Sequence, residues 1–392
     1  MELKSQQLEA LEQMRKWFKG DKKRPFILQG YAGTGKTTLV KTCLTELGSE
    51  YPALIAPTGR AARVLTAKTG QEATTVHKFR YKPLEDERKK IRKRLGELYA
   101  ELGNSEVTEE IKLLEKEMSK LEHQEVQFTT KDDQHCDLIL VDEASMVSEK
   151  MGWDIDNLYF PVIYVGDSFQ LPPVKAKAYW DNKNPNYILT DIVRQQGEGL
   201  GIARAGANLR IGKQLEKDSG FEIIRKGIMK WDDYLKYNII LCGTNNMRRA
   251  INRKLRAMLG HEGDIPVPGE KIMCLANNDV FDISNGDNFI VKEIKKNYQK
   301  IISIDIQDPF GKVFTDIPCW KGAFLDDSNL QDAPFGLGMF TFAYCITVHK
   351  SQGSEWQSVL LLDDWPRDDK ARWIYTGITR ASLKCTVISD TL

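Results

Sequence analysis

The sequence predicts an α/β protein of two layered parallel sheets, the first interrupted by a helical hairpin and the second by a small β-barrel. Three features predict it. Short apolar runs alternate with helical patterns: PFILQ, YPALIA, CDLILV and PVIYV in the first half, IILC and SVLLL in the second. Residues 84–123 replace that alternation with apolar residues spaced three and four apart in a charged background. Residues 266–337 replace it with short β-type runs separated by polar turns.

Composition bounds the class. At 392 residues, 41% hydrophobic and 28% charged, the chain suits two or three domains of a soluble globular protein. The formal net charge of +1 gives no strong overall field, so a nucleic-acid partner would have to be met by a local basic stripe. The 7 cysteines are odd in number and far apart, with no spacing suited to zinc, which points to a reducing compartment. The N-terminus lacks an apolar signal core and no apolar run is long enough to span a bilayer, so a cytoplasmic protein with no membrane partner is expected.

Taken in order, PFILQ is a buried strand running into GYAGTGKTT and then the helical pattern LVKTCLTEL. Gly30, Gly35, Lys36 and Thr37 fit G-x-x-x-x-G-K-[ST], with Ala32, Gly33, Thr34 and Thr38 in the same turn. Backbone amides at a helix N-terminus cradle phosphates, the lysine reaches the β and γ groups, and the hydroxyl holds magnesium. ATP and Mg2+ are the cofactors expected. Next, YPALIAPTGRAARVL and ATTVHKF are strand ends followed by short hydroxyls and cations, which suit the phosphates of a nucleic-acid strand. Thr58, Arg60, Thr75 and His77 are the candidates, although a structural histidine fits His77 as well as a contact does.

Residues 84–123 predict two amphipathic helices folded as an antiparallel hairpin, with apolar positions Leu84, Ile91, Leu95, Leu98 and Leu102 before the turn and Ile111, Leu114, Met118 and Leu121 after it. The run ERKKIRKR reads either as a grip on a phosphate backbone or as a solvated face. CDLILVDEAS ends a strand in two carboxylates: Asp142 to hold metal, Glu143 to orient or deprotonate water. In VGDSFQLPPV, Gln170 can sense a γ-phosphate.

The second half brings Arg194 and Arg380 to the cleft to stabilise charge during phosphoryl transfer. HKSQGSEW would be the coupling element, with Thr347, His349 and Lys350 facing nucleic acid and Glu355 or its neighbours facing nucleotide. The helix after IILC carries Arg248, Arg249, Arg253, Lys254 and Arg256, which read equally as a nucleic-acid contact or a soluble face.

Together GYAGTGKTT, APTGRAARVL, ATTVHKF, LVDEAS, VGDSFQLPPV, the arginine of DIVRQ, ITVHKSQGSEW and YTGITRA resemble the ordered motifs of superfamily 1 DNA helicases, in the RecD-like and phage Dda-like branch. The resemblance covers most of 1–80 and 136–392. It implies two RecA-like motor domains, at 1–80 with 136–195 and at 196–265 with 338–392. The helical hairpin read from the apolar spacing is placed as an insertion at 81–135 in the first, and the resemblance implies an SH3-like accessory domain at 266–337 with NGD as signature. Translocation 5′ to 3′ on single-stranded DNA, unwinding at duplex junctions and a monomeric motor are implied too, as is a contact of Gln7 with adenine, with Gln6 leaving the register open. The helical hairpin departs from the short β-hairpin usual in that branch. This leaves the strand-separating residue open among Phe79, Tyr81 and Phe128, and suggests that 84–123 docks a replication or single-strand-binding protein. An RNA helicase, a nucleoprotein-remodelling ATPase or a P-loop phosphotransferase is the rival reading, and the setting is a bacterial or phage-infected cytoplasm.

Overall fold

Each apolar run forms a strand with both faces covered. The computed structural model describes residues 3–392 apart from 21, 23, 84–86, 101–104, 123–127, 131–134, 181–182, 195–196, 279, 326, 328–329 and 331–332. In chain order the first layer comprises α1 (Ser5–Lys19), β1 (Phe26–Gly30), α2 (Lys36–Glu46), β2 (Pro52–Ala56), α3 (Gly59–Thr69), β3 (Ala73–Thr75) and α4 (Val76–Arg80). The insertion follows as β4 (Tyr81–Pro83), α5 (Glu87–Ala100), α6 (Ser105–Glu122) and β5 (Phe128–Thr130). β6 (Leu138–Val141), α7 (Glu149–Asp156), β7 (Val162–Gly166) and β8 (Tyr187–Leu189) complete the layer. The sheet has the order β3-β2-β6-β7-β1-β8, every pairing parallel. Strand side chains alternate between two cores: Phe26, Leu28, Leu138, Leu140, Ile163 and Val165 pack with α1 and α2, and Ile27, Ile139, Val141, Val162 and Tyr164 pack on the other face. Burial on both faces is why these runs read as continuously apolar.

The second layer adds α8 (Leu200–Arg210), β9 (Phe221–Ile224), α9 (Trp231–Tyr234), β10 (Ile239–Cys242) and α10 (Asn245–Met258). Then come β11 (Lys271–Cys274), β12 (Asn288–Asn297), β13 (Ile301–Gln307), β14 (Val313–Trp320), α11 (Gly322–Leu325) and β15 (Phe340–Phe342). The chain closes with β16 (Cys345–Thr347), α12 (Val348–Ser351), β17 (Trp356–Leu362), α13 (Lys370–Ile378) and β18 (Ala381–Ile388). The order β16-β10-β17-β18-β9 is a second, wholly parallel sheet.

The strands from 271 to 342 form a separate antiparallel sheet, β14-β13-β12-β11-β15. Its core holds Ile272, Phe289, Ile304, Phe314 and Phe340. Residues 340–342, expected in the second motor, are instead its edge strand paired with β11, because Phe340 and Phe342 belong to that core. NGD enters β12, with Gly286 at φ 91° and its amide bonded to Cys274 O at 2.8 Å. Arg256 is no nucleic-acid contact here: it is buried against Glu270, 2.8 Å away.

Two compact units result, Met1–Tyr81 with Thr130–Arg249 and Cys345–Leu392, and Lys82–Thr129 with Ala250–Tyr344. The first contains both parallel sheets. The second unites the hairpin with the antiparallel sheet, whereas the sequence suggested an accessory of the first motor. The reason is the apolar stripe: Ile91, Leu95, Leu98, Ile111 and Met118 bury against Ile301 and Leu337, with Trp320 and Phe335 at the margin. Gly336, at φ +81°, lets a loop of the sheet approach α5 so closely that a Cβ there would lie 2.8 Å from Arg92 O. Leu84 and Leu102 of the expected stripe, and the side chain of Leu121, fall outside the described residues.

Candidate functional site

A cleft of about 420 Å³ in the first unit gathers most of the predicted residues. From the first sheet come Gly33, Gly35, Lys36, Thr37 and Thr38 of the turn between β1 and α2. Asp142 and Glu143 enter after β6, and Gln170 after β7. Arg194, Glu355 and Arg380 close the far side. These groups stand at the C-terminal ends of parallel strands, where helix N-termini and loop amides leave room for a ligand.

The glycine turn is held from below. Gly35 caps α2 at φ 75°, and the Gln7 amide donates to Thr34 O at 3.1 Å and Gly35 O at 3.3 Å. Gln7 Oε1 accepts from Lys4 N at 2.8 Å, so this buried amide is committed to backbone. Its neighbour Gln6 accepts from Thr190 N at 2.9 Å and Asp191 N at 3.0 Å. A Cβ on Gly35 would lie 2.4 Å from Gln7 Nε2. Gly35→Ala is therefore expected to cost more than about 1 kcal/mol through the left-handed backbone alone. Thermal unfolding without nucleotide measures it, and an unshifted midpoint would contradict this packing.

Lys36 Nζ donates to Gly30 O at 2.8 Å and Tyr31 O at 2.9 Å. Burial lowers its pKa, opposed by the charges of Asp167, Glu143 and Asp142. Burial raises the pKa of Asp142, with the Glu143 carboxylate adding to it and a hydrogen bond from Glu143 N at 2.9 Å working against it. Glu143 has φ 51°, a left-handed conformation that is strained for a residue with a Cβ and turns its side chain toward the cleft. Gln170 is buried, and its Oε1 has no hydrogen-bond partner among the described residues.

Arg194 was read as a contribution of the second half, yet its amide donates to Gly33 O at 2.9 Å, which attaches it to the first sheet. Its guanidinium lies 3.2 Å from Glu355, which also faces Lys68 at 4.0 Å. Arg380 is buried; it donates to Thr376 O at 3.0 Å and Ser354 O at 3.4 Å. Burial lowers its pKa and Glu143 opposes that.

The nucleic-acid candidates share one local design. Thr58, Thr75 and Thr347 each end a strand or its following turn and cap a helix, accepting from Ala61 N at 3.2 Å, Lys78 N at 3.1 Å and Lys350 N at 3.4 Å. A threonine so placed keeps its own O–H to donate outward. Arg60 lies over the Trp356 ring at 5.5 Å. His77 is exposed, 5.6 Å from the Tyr81 ring. His349 packs 5.1 Å from Trp365, and burial lowers its pKa, keeping the imidazole neutral at pH 7. Among the suggested wedge residues, Phe79 is buried in the core, the Tyr81 hydroxyl is bonded to Asp154, and the Phe128 side chain lies outside the described residues.

Three residues of the site region escaped the sequence reading. Asp167 is fully buried and pairs with Arg210, and the Tyr375 hydroxyl donates to it at 2.6 Å. Asp167 and Tyr375 lie within motifs noted above, VGDSF and YTGIT, but nothing in either string signals a buried charge; Arg210 carries no signal at all.

A family model described as AAA domain matches residues 2–222, and one described as UvrD-like helicase C-terminal domain matches 342–388. An uncharacterised protein of Methanocaldococcus jannaschii is 33% identical over 176 residues, 42% of this chain and 13% of its own length. The ATP-dependent RecD2 DNA helicase of Deinococcus radiodurans is 27% identical over 391 residues, 91% of this chain and 46% of its own length. The chain thus spans less than half of either curated relative. A solved structure of Pif1 helicase from Bacteroides in complex with ADP-AlF3 and single-stranded DNA aligns with TM-score 0.57 at 18% identity, covering 100% of this chain and 94% of that one. With the glycine turn, the acidic strand end and two parallel sheets in place, the chain belongs to the AAA domain family and has the two-RecA-like-domain fold of superfamily 1 helicases of the RecD/Pif1 type.

Proposed function

We propose that this chain is an ATP-driven DNA helicase that moves 5′ to 3′ along single-stranded DNA and unwinds duplex at junctions. The observation that carries it is the convergence of Lys36, Asp142, Glu143, Gln170, Arg194 and Arg380 on one cleft, with groups from both parallel sheets. In this reading the loop amides and Lys36 bind the triphosphate, Gln170 meets its γ-phosphate, and Glu143 holds the attacking water. Arg194 and Arg380 stabilise charge as the phosphoryl group leaves. The Arg194–Glu355 pair is part-exposed, of a kind worth about 0–1 kcal/mol, so the guanidinium is free to exchange carboxylate for phosphate.

The Thr37 hydroxyl and Asp142 carboxylate are hard oxygen donors that suit Mg2+, and Gln170, whose buried Oε1 has no hydrogen-bond partner among the described residues, lines the same cleft. Bound there, the ion would neutralise phosphate charge. Gln7 would reach adenine only by giving up a bond to the glycine turn. Thr58, Arg60, Thr75, His77, Thr347, His349 and Lys350 form the inferred strand track. The antiparallel sheet is inferred to be the SH3-like accessory, and any partner of 84–123 would meet the hairpin's charged face, since its apolar stripe is occupied. We infer a monomer acting in the cytoplasm; among the described residues no helix is long and apolar enough to cross a membrane.

Magnesium-dependent ATP hydrolysis, measured with single-stranded DNA, with RNA and with neither, tests this reading together with unwinding from 5′-tailed and 3′-tailed duplexes. Stimulation by DNA and unwinding from the 5′ tail alone are expected. Stimulation by RNA alone would move the assignment to RNA, and hydrolysis indifferent to both would end the motor reading.

A further inference from the structure

Helix α13, which ends two residues before Arg380, is bonded to the loops that carry the nucleotide cleft. The Tyr375 hydroxyl accepts from the amide of Ala32, in the glycine turn, at 3.0 Å, and donates to Asp167 at 2.6 Å. Arg210 of α8 donates to the same hydroxyl at 3.2 Å, pairs with Asp167, and lies 3.9 Å over the Tyr31 ring. One residue on, Thr376 Oγ1 accepts from Leu171 N at 3.0 Å, while Gln352 of the HKSQG loop donates to Leu171 O at 3.1 Å. Leu171 directly follows Gln170. The second sheet therefore grips the first at the glycine turn through Tyr375 and beside the γ-phosphate candidate through Thr376 and Gln352.

The helix is suited to passing a displacement on. Trp373 through Ile378 are all buried, and a Cβ on Gly377 would lie 2.9 Å from Leu361, so α13 has little room to shift without β17. At its start Asp369 accepts from Trp365 Nε1 at 2.7 Å. Trp365 stacks on Trp373 at 5.9 Å and 4°, and its ring also lies 5.1 Å from that of His349.

We propose that Tyr375 is a positioning residue that ties the glycine turn to α13, so that a rearrangement of the turn around a nucleotide is delivered through Trp365 to the His349 face. The proposal rests on the ATP-driven reading above. Tyr375 does not line the cleft; its hydroxyl acts through Ala32 and Asp167.

The test is tryptophan emission while the full chain is titrated with a non-hydrolysable ATP analogue, with Trp365→Phe identifying the signal from this stack. The wild type is expected to show a Trp365-dependent change. In Tyr375→Phe its amplitude falls about fivefold, the scale of one net hydrogen bond, while analogue affinity holds and the melting temperature falls by only about 2–4 °C. Asp167 and Arg210 remain paired in that variant, so no buried charge is stranded. Thr376→Val cuts the neighbouring tether and leaves Tyr375 in place, which keeps the idea testable should Tyr375→Phe fold poorly; its amplitude falls as well. Undiminished amplitude in either folded variant overturns the link, as does a wild type that binds the analogue without a Trp365-dependent change, and the motor reading survives both results. A wild type that binds no analogue overturns the motor reading and the link together.

Discussion

Arg380→Ala lowers DNA-stimulated ATP hydrolysis by about 10³-fold, the scale of losing a cation that meets transition-state charge at a phosphoryl group. Lys36→Ala loses about 10²–10³-fold by the same electrostatic argument applied to a single donor. The two differ in what else they disturb. Among the described residues Lys36 donates only to the carbonyls of Gly30 and Tyr31, so its loss leaves single-strand binding unchanged. Arg380 donates to Ser354 O in the segment that carries Glu355, so its loss also weakens the effect of nucleotide on DNA affinity. Steady-state hydrolysis and fluorescence anisotropy of a labelled oligonucleotide read both quantities. Hydrolysis within tenfold of wild type in Arg380→Ala would remove it from the catalytic set.

Leu95→Ala is expected to destabilise the second unit by about 2–5 kcal/mol, because Leu95 is fully buried where α5 meets Ile301 and Leu337 and truncation leaves a cavity. The glycine turn lies in the other unit. Hydrogen exchange should therefore rise in α5, α6 and β13 while β1 and β6 keep their protection and basal hydrolysis at low temperature is retained. Equal loss of protection everywhere would show that the two units unfold together. Deleting 84–123 would uncover Ile301 and Leu337 as well, so a defect in such a variant would not by itself report a lost wedge or docking surface.

The parallel strands, the glycine turn and the acidic strand end were legible because each is local. A strand ending in GYAGTGKTT or LVDEAS places its functional groups through a few consecutive dihedrals, and the surrounding fold needs only to permit it. Boundaries set by pairing were less legible: FTFAYCIT reads as one apolar stretch, yet Phe340–Phe342 pairs with β11 and Cys345–Thr347 with β10. The hairpin's helices were evident from their period, but the period cannot name the surface that fills an apolar stripe.

By itself, then, the sequence determined the two-layer α/β plan and the chemistry offered at the strand ends, since both follow from neighbours along the chain. Only the tertiary structure decided which carboxylates, amides and cations share a buried environment. Asp167 meets Arg210 across 43 residues and Tyr375 across 208. Burying a charge is costly unless a partner arrives with it, and that partner is chosen by which faces pack together and not by any residue nearby in sequence.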